Sequence, residues 1–308
     1  MNKKNLISSL VLLAFFTQAG ISQYIPNDNF HQLNPFSFNP AAAGLRGNVT
    51  AFLNYRDQWS GLKGAPETVS FGMHGLVTSA MGLGLNIGQT NIGIFKQFSA
   101  DMSYSYRISI DERSQSLSFG LNFGFSQNKI NHDEVQIDDN SDPTLYSSEI
   151  LDETLVRTGF GMHYNWEDLN IHLSSPILYG SQEKVFPQTL FGFASYDYLL
   201  PGDIWKIQPS ALYRYTADKT NQFEMNVLAE WHNRVWVSAG YRTNKSILTG
   251  FGISLKGLGI GYAYEINRSE LSSVSSGSHQ LILFFESSYS VTRKTPLYRS
   301  SKQRSSWR

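Results

Sequence analysis

The chain has 308 residues, its 25 Lys and Arg balance its 25 Asp and Glu, and it has no cysteine. That excludes disulfides, thiolate nucleophiles and cysteine-bound metals, and net charge names no partner. Charged residues make up 16% of the chain, well under the roughly 25% usual in soluble domains, while 20 Phe, 16 Tyr, 6 Trp and 25 Gly make it rich in aromatics and glycine.

The N-terminus reads "MNKKNLISSLVLLAFFTQAGISQ". Lys3 and Lys4 form a charged start, Leu6 to Phe16 an apolar core, and Gly20 and Ser22 are small residues suited to the positions before a cleavage site. The pattern predicts a secretory signal peptide over 1–22, too short to span a bilayer as a helix. Residues 23–48 show no alternation and hold Pro26, Pro35 and Pro40 with Asn27, Asn29, Asn34 and Asn39. Proline removes donors and fixes φ, so this stretch neither pairs into a wall nor forms a long helix. It is expected to fold into an interior as a plug. Asn39 is placed to cap a short turn starting at Pro40, and Ala41 to Gly44 are small enough to lie against Gly and Ser.

From Val49 the apolar period is two. In "LSFGLNFGFS", Leu117, Phe119, Leu121, Phe123 and Phe125 alternate with Ser118, Gly120, Asn122, Gly124 and Ser126. One face is large and apolar, the other small or polar, which only a strand with two chemically different sides explains. Fourteen such segments start near residues 49, 67, 80, 96, 114, 154, 167, 188, 203, 221, 234, 246, 258 and 278. Most run about ten residues, enough to cross a bilayer at a tilt, and an even number brings both termini to one side. If the first strand runs outward, the even connections are all short and the long ones, such as 57–66, 128–153, 174–187 and 267–277, are all odd. Short inner turns and longer outer loops are the habit of outer-membrane barrels. A soluble β-sandwich also alternates, but its water-facing side would carry more charge than these Gly, Ser and Asn positions do. The expectation is an all-β, fourteen-stranded antiparallel transmembrane barrel over 49–290, with an aromatic girdle of Tyr55, Trp59, Tyr164, Trp166, Tyr196, Tyr198, Trp231, Trp236, Tyr262 and Tyr264 and a wet lumen for the isolated Glu and Arg residues.

The stretches "FNPAAAG", "NYRDQWSGLKGAPETVSFGMHG", "GLGLNIG" and "SGSHQLILFFE" resemble the PorP/SprF family of Bacteroidetes outer-membrane proteins. The matching positions are Asn39, Pro40, Ala41 and Gly44; Tyr55, Arg56, Gln58 and Trp59; Gly64, Ala65 and Pro66; and Ser278 and His279. The resemblance spans the whole mature chain and implies a barrel similar to the fatty-acid channel fold. It further implies work with the type IX secretion and gliding machinery, holding secreted adhesins or other cargo at the cell surface through the cargo's C-terminal domain. The alternative function is a channel for small or hydrophobic solutes.

No GxSxG or HExxH occurs, the seven histidines lack metal-like spacing, and the Gly-rich stretches lie within strands rather than at a strand-to-helix turn. Catalysis and a cofactor are therefore not expected. The acidic outer loop, with Asp133, Glu134, Asp138, Asp139 and Asp142, offers hard oxygens for calcium. Without the glycine and terminal glutamate of an EF-hand it reads first as a solvated surface for a partner protein. The tail over 291–308 carries Arg293, Lys294, Arg299, Lys302, Arg304 and Arg308 and no acid. Parity puts it in the periplasm, where it would meet anionic headgroups or a component of the secretion machinery. The partners expected are thus the bilayer, cargo and secretion components, and not nucleic acid.

Overall fold

The computed structural model describes residues 28–111, 115–130, 153–180, 188–202, 204–216, 221–268 and 275–290. They build one antiparallel sheet closed on itself. In chain order the strands are β1 (Asn48–Asp57), β2 (Glu67–Leu76), β3 (Met81–Ile92), β4 (Phe95–Ser109), β5 (Gln115–Ile130), β6 (Glu153–Trp166), β7 (Leu169–Gly180), β8 (Thr189–Tyr196), β9 (Tyr198–Leu199), β10 (Trp205–Thr216), β11 (Asn221–Trp231), β12 (Val235–Arg242), β13 (Ser246–Leu255), β14 (Leu258–Asn267) and β15 (Ser278–Ser290).

Sequential neighbours pair throughout, and β1 closes the wall against β15, with Leu53 opposite Leu283. The two-residue β9 continues β8 along the same partner: β10 pairs Ser210 with Ser195 and Lys206 with Leu199. Asp197 interrupts them, its amide donating to the carbonyl of Asp168 at 2.9 Å. The wall therefore has fourteen strands. The fourteen starts read from the sequence fall within two residues of those observed. Closure leaves no strand edge, which is what a sheet needs where lipid supplies no hydrogen bonds.

The connections at the end where β1 begins are tight. Lys256 and Gly257 both have positive φ (50° and 84°), as do His232 and Asn233 (49° and 54°). Such turns match the twist of the strands they join. This end is the periplasmic one, and the longer connections lie at the other.

Burial is inverted relative to a soluble sandwich. On β4 Met102 is 69% exposed while its neighbour Ser103 is 5% exposed. Phe98, Tyr104, Tyr106 and Ile108 share the outward face; Ser105 and Arg107 share the buried one. A large apolar face turned out and a polar one turned in suits hydrocarbon outside.

Two sequence expectations need correcting. Trp236 is not a girdle residue: it is 3% exposed and points into the lumen, edge-on to Phe30 with ring centroids 5.9 Å apart. Room for it comes from Gly252 and Gly261, where a Cβ would collide with the indole. Nor is the interior wet and polar throughout. Phe52, Leu228, Trp236, Ile282 and Phe284 of the wall form an apolar cluster with Phe30, because the N-terminal segment brings its own phenylalanines inside.

Candidate functional site

Residues 28–47 lie within the barrel, running from Asp28 and Asn29, beside residues near the outer ends of β12 and β15, down to the start of β1 at the periplasmic end. Two 3-10 turns, Pro35–Ser37 and Pro40–Ala42, give this segment its shape. At the second, Asn39 accepts a hydrogen bond from the Ala41 amide at 2.9 Å, and Pro40 occupies the first helical position, where its missing donor is harmless. The Asn39 amide nitrogen donates to the Met162 carbonyl at 2.9 Å and stands 3.1 Å from His172 Nδ1. Ala41, Ala42 and Ala43 are buried. Gly44, at φ 71°, donates its amide to His74 Nδ1 at 3.1 Å.

The wall is hollowed where this segment meets it. A Cβ at Gly120 would fall on the backbone of Pro40 and Ala41, and one at Gly84 on the ring of Phe36. Ser105 and Ser174 donate to the carbonyls of Ala43 (2.7 Å) and Phe38 (2.8 Å). Phe38 packs against Phe191 and Phe193 with centroids 5.6 and 5.8 Å apart. Three of the segment's phenylalanines thus anchor in three separate apolar clusters.

A buried ion network fastens the start of the segment. Arg242 lies 2.6 Å from Glu224 Oε2 through Nε and 3.0 Å from Glu265 Oε1 through Nη1. Arg56 reaches the other Glu265 oxygen at 2.7 Å. All four side chains are at most 3% exposed, so these charges are packed against one another, with Arg56, Glu224 and Arg242 also bordering the lumen cavity. Arg242 also donates to Asn29 Oδ1 at 2.9 Å. Gln280 accepts from the Asn29 amide at 3.0 Å, donates to Asp28 at 2.8 Å and accepts from Arg56 at 3.1 Å.

Beside the segment a cavity of about 720 Å³ extends toward the outer end, as far as Thr68, Thr90, Gln97 and Asn128. Phe36, Phe38 and Pro40 contribute to its floor, and Phe191 and Leu212 to its apolar side. Arg157 and Asp101 line it as an ion pair, with Nε to Oδ1 at 2.8 Å.

The motif near the first strands divides by position. Tyr55 faces outward, Arg56 and Gln58 inward, and Arg56 Nε is 3.4 Å from Gln58 Oε1. Trp59, Gly64, Ala65 and Pro66 belong to the first outer loop. Trp59 has φ 56° and donates its amide to Ser278 Oγ at 3.1 Å. Ser60 exchanges backbone bonds with Gly277 and Ser276, at 2.7 and 2.9 Å. Gly64 accepts from the Gly93 amide at 3.0 Å, Ala65 donates to Leu62 at 3.1 Å and Pro66 accepts from Gln58 at 3.0 Å. The loop therefore clasps the seam between the first and last strands. His279 faces outward, 2.6 Å from the Tyr262 hydroxyl. The acidic residues Asp133, Glu134, Asp138, Asp139 and Asp142, and the basic tail from Arg293 to Arg308, lie outside the described residues.

Sequence reasoning named Arg56 but missed its partners. Glu224, Glu265 and Arg242 each stand at a lumen-facing position of a strand, and a charge at such a position is the one signal that marks them.

A closed antiparallel wall, apolar outside and filled by its N-terminal segment, defines an integral outer-membrane β-barrel protein. The chain belongs to the PorP/SprF family of type IX secretion system membrane proteins, which matches residues 19–285. No curated protein matches it. Among solved structures it is similar to the CymD monoaromatic hydrocarbon channel (10% identity, 87% of this chain and 94% of that one, TM-score 0.49). It is also similar to Omp33 of Acinetobacter baumannii (7%, 78% and 98%, 0.48) and to the KdgM porin in complex with disordered oligogalacturonate (10%, 77% and 98%, 0.40).

Proposed function

We propose that the barrel is a receptor of the type IX secretion and gliding system. It docks a secreted, adhesin-like cargo at the cell surface through the cargo's C-terminal domain, and it carries out no catalysis. The observation that supports this most is the asymmetry of the lumen. The lumen is filled by a segment that buried ion pairs hold near the outer ends of β11, β12 and β14 and that aromatic clusters hold along the wall, while a free volume of about 720 Å³ remains between it and the outer ends of β2 to β5. A lumen built so favours something seated from outside over something passing through. The clasped first loop contributes to the outer rim; the acidic sequence 133–142 and the basic sequence 291–308 carry charge suited to a cargo contact and to a contact with other secretion components. Affinity purification of tagged protein from outer membranes tests both halves. Cargo C-terminal domains should co-elute with the intact chain, and deleting 291–308 should remove periplasmic components while cargo stays. Purified intact chain that retains no cargo domain overturns the outer half.

The apolar side of the cavity, with Phe36, Phe38, Phe191 and Leu212, favours a second reading, a channel for small hydrophobic solutes. Solute-dependent conductance of intact protein in a planar bilayer would favour it over docking.

A further inference from the structure

The outward face of β4 and β5 changes character at its outer end. On β4 the outward residues from Phe98 to Ile108 are Phe98, Ala100, Met102, Tyr104, Tyr106 and Ile108. At about 3.3 Å per residue and a tilt near 40°, that run stands about 25 Å tall, the height of a barrel's hydrocarbon band. At its upper edge Phe98 faces Gln127 across the strand pair, and the next outward pair is Lys96 opposite Lys129. Both lysines are exposed, at the rim where they also border the outer mouth of the cavity, and among the described residues neither has an ion-pair partner.

Directly opposed residues of an antiparallel pair have Cβ atoms about 5 Å apart, and like charges there repel. An anion held between the two ammonium groups reverses that repulsion. The height selects the anion, because the groups emerge at the level of the outer-leaflet headgroups. The surroundings agree. On β3, Asn91 is the partner of Lys96 and Gln89 that of Phe98; Gln89 is exposed, Asn91 half-buried, and their amides are joined by a 3.3 Å hydrogen bond. Just below, Phe98 and Phe125 lie with ring centroids 6.1 Å apart, both open to lipid.

We propose that Lys96 and Lys129 form a site for a phosphate-bearing lipid headgroup of the outer leaflet. The phosphate bridges the two ammonium groups, Gln89 and Asn91 meet the polar part of the headgroup, and the acyl chains run down over Phe98 and Phe125. The contact pins the β4–β5 hairpin at a defined height beside the outer rim.

The test uses full-length processed protein in nanodiscs of phosphatidylcholine with a minor share of phosphatidylglycerol. Protein released from them is examined by native mass spectrometry for retained anionic lipid, with heat-modifiable gel migration as the check of folding. K96Q/K129Q should lower retention roughly 25-fold, about fivefold per lysine for a cation at an anionic membrane surface, and K96R/K129R should restore it. If the double variant does not fold, K96Q and K129Q are read singly, each with about a fivefold loss. Equal retention by the wild type and the folded glutamine variants overturns the proposal.

Discussion

Arg242 and Glu224 form an ion pair of 2.6 Å inside the barrel, with side-chain exposures of 1% and 3%. The same guanidinium holds Glu265 and the side-chain oxygen of Asn29, so one residue of the wall ties two carboxylates and the N-terminal segment together. Removing one member of a buried ion pair strands the other charge, at about 3–5 kcal/mol. R242M is therefore expected to lower barrel stability by that amount, read as a shift in the urea midpoint of heat-modifiable migration. Replacing the set with R242M/E224Q, which leaves Glu265 paired with Arg56, should recover part of the loss.

The close approach of Gly120 to Pro40 and Ala41 gives a second prediction. The atoms a Cβ would meet there are backbone, and backbone cannot rotate aside. Overpacking of this kind destabilises by about 1–3 kcal/mol. In G120V the strain is relieved by moving the segment out, so residues 28–47 should become accessible to protease and single-channel conductance should rise. Gly192 is the control. A Cβ there meets only the Leu173 side chain, at 3.7 Å, and G192A should change neither measurement.

Asn39 makes three contacts at once: the cap on Ala41, the bond to the Met162 carbonyl and the approach to His172. N39A removes the cap and leaves a buried carbonyl without its donor, for a combined loss of about 2–3 kcal/mol. N39D keeps the cap but puts an acceptor where a donor faced the Met162 carbonyl, so it should rescue less than half. Protease sensitivity of the N-terminal segment, measured against time, should rank the chains wild type, N39D, N39A.

The wall was legible because a period of two over some ten residues has one structural meaning when the small face is Gly, Ser and Asn. The turn at Pro40 was legible because asparagine followed by proline specifies a cap and a first helical residue. Other features depend on distant residues. In "VWVSAGYR" the first three positions of β12 are all apolar, so nothing local says that Trp236 faces inward; Gly252 and Gly261, on two other strands, decide it. The ion network joins residues 18 to 209 positions apart, and the break at Asp197 follows from a bond to Asp168 on another hairpin. Register fixes such meetings, and register is a property of the closed sheet rather than of any one strand.

The sidedness of the wall is tested on β4, where two nearby residues should respond oppositely to the same charge. Met102 is 69% exposed and stands near the middle of the apolar run from Phe98 to Ile108. With hydrocarbon around it, M102K should destabilise by about 2–4 kcal/mol, as a lysine near the bilayer midplane does. Ser99, three positions earlier, lines the cavity and lies on the other face of the same strand. S99K places its ammonium in a polar space beside the Asp101 carboxylate and should cost less than about 1 kcal/mol. Urea unfolding of both variants in lipid vesicles decides the matter. Were Met102 facing water, its substitution would be the harmless one and the ranking would invert.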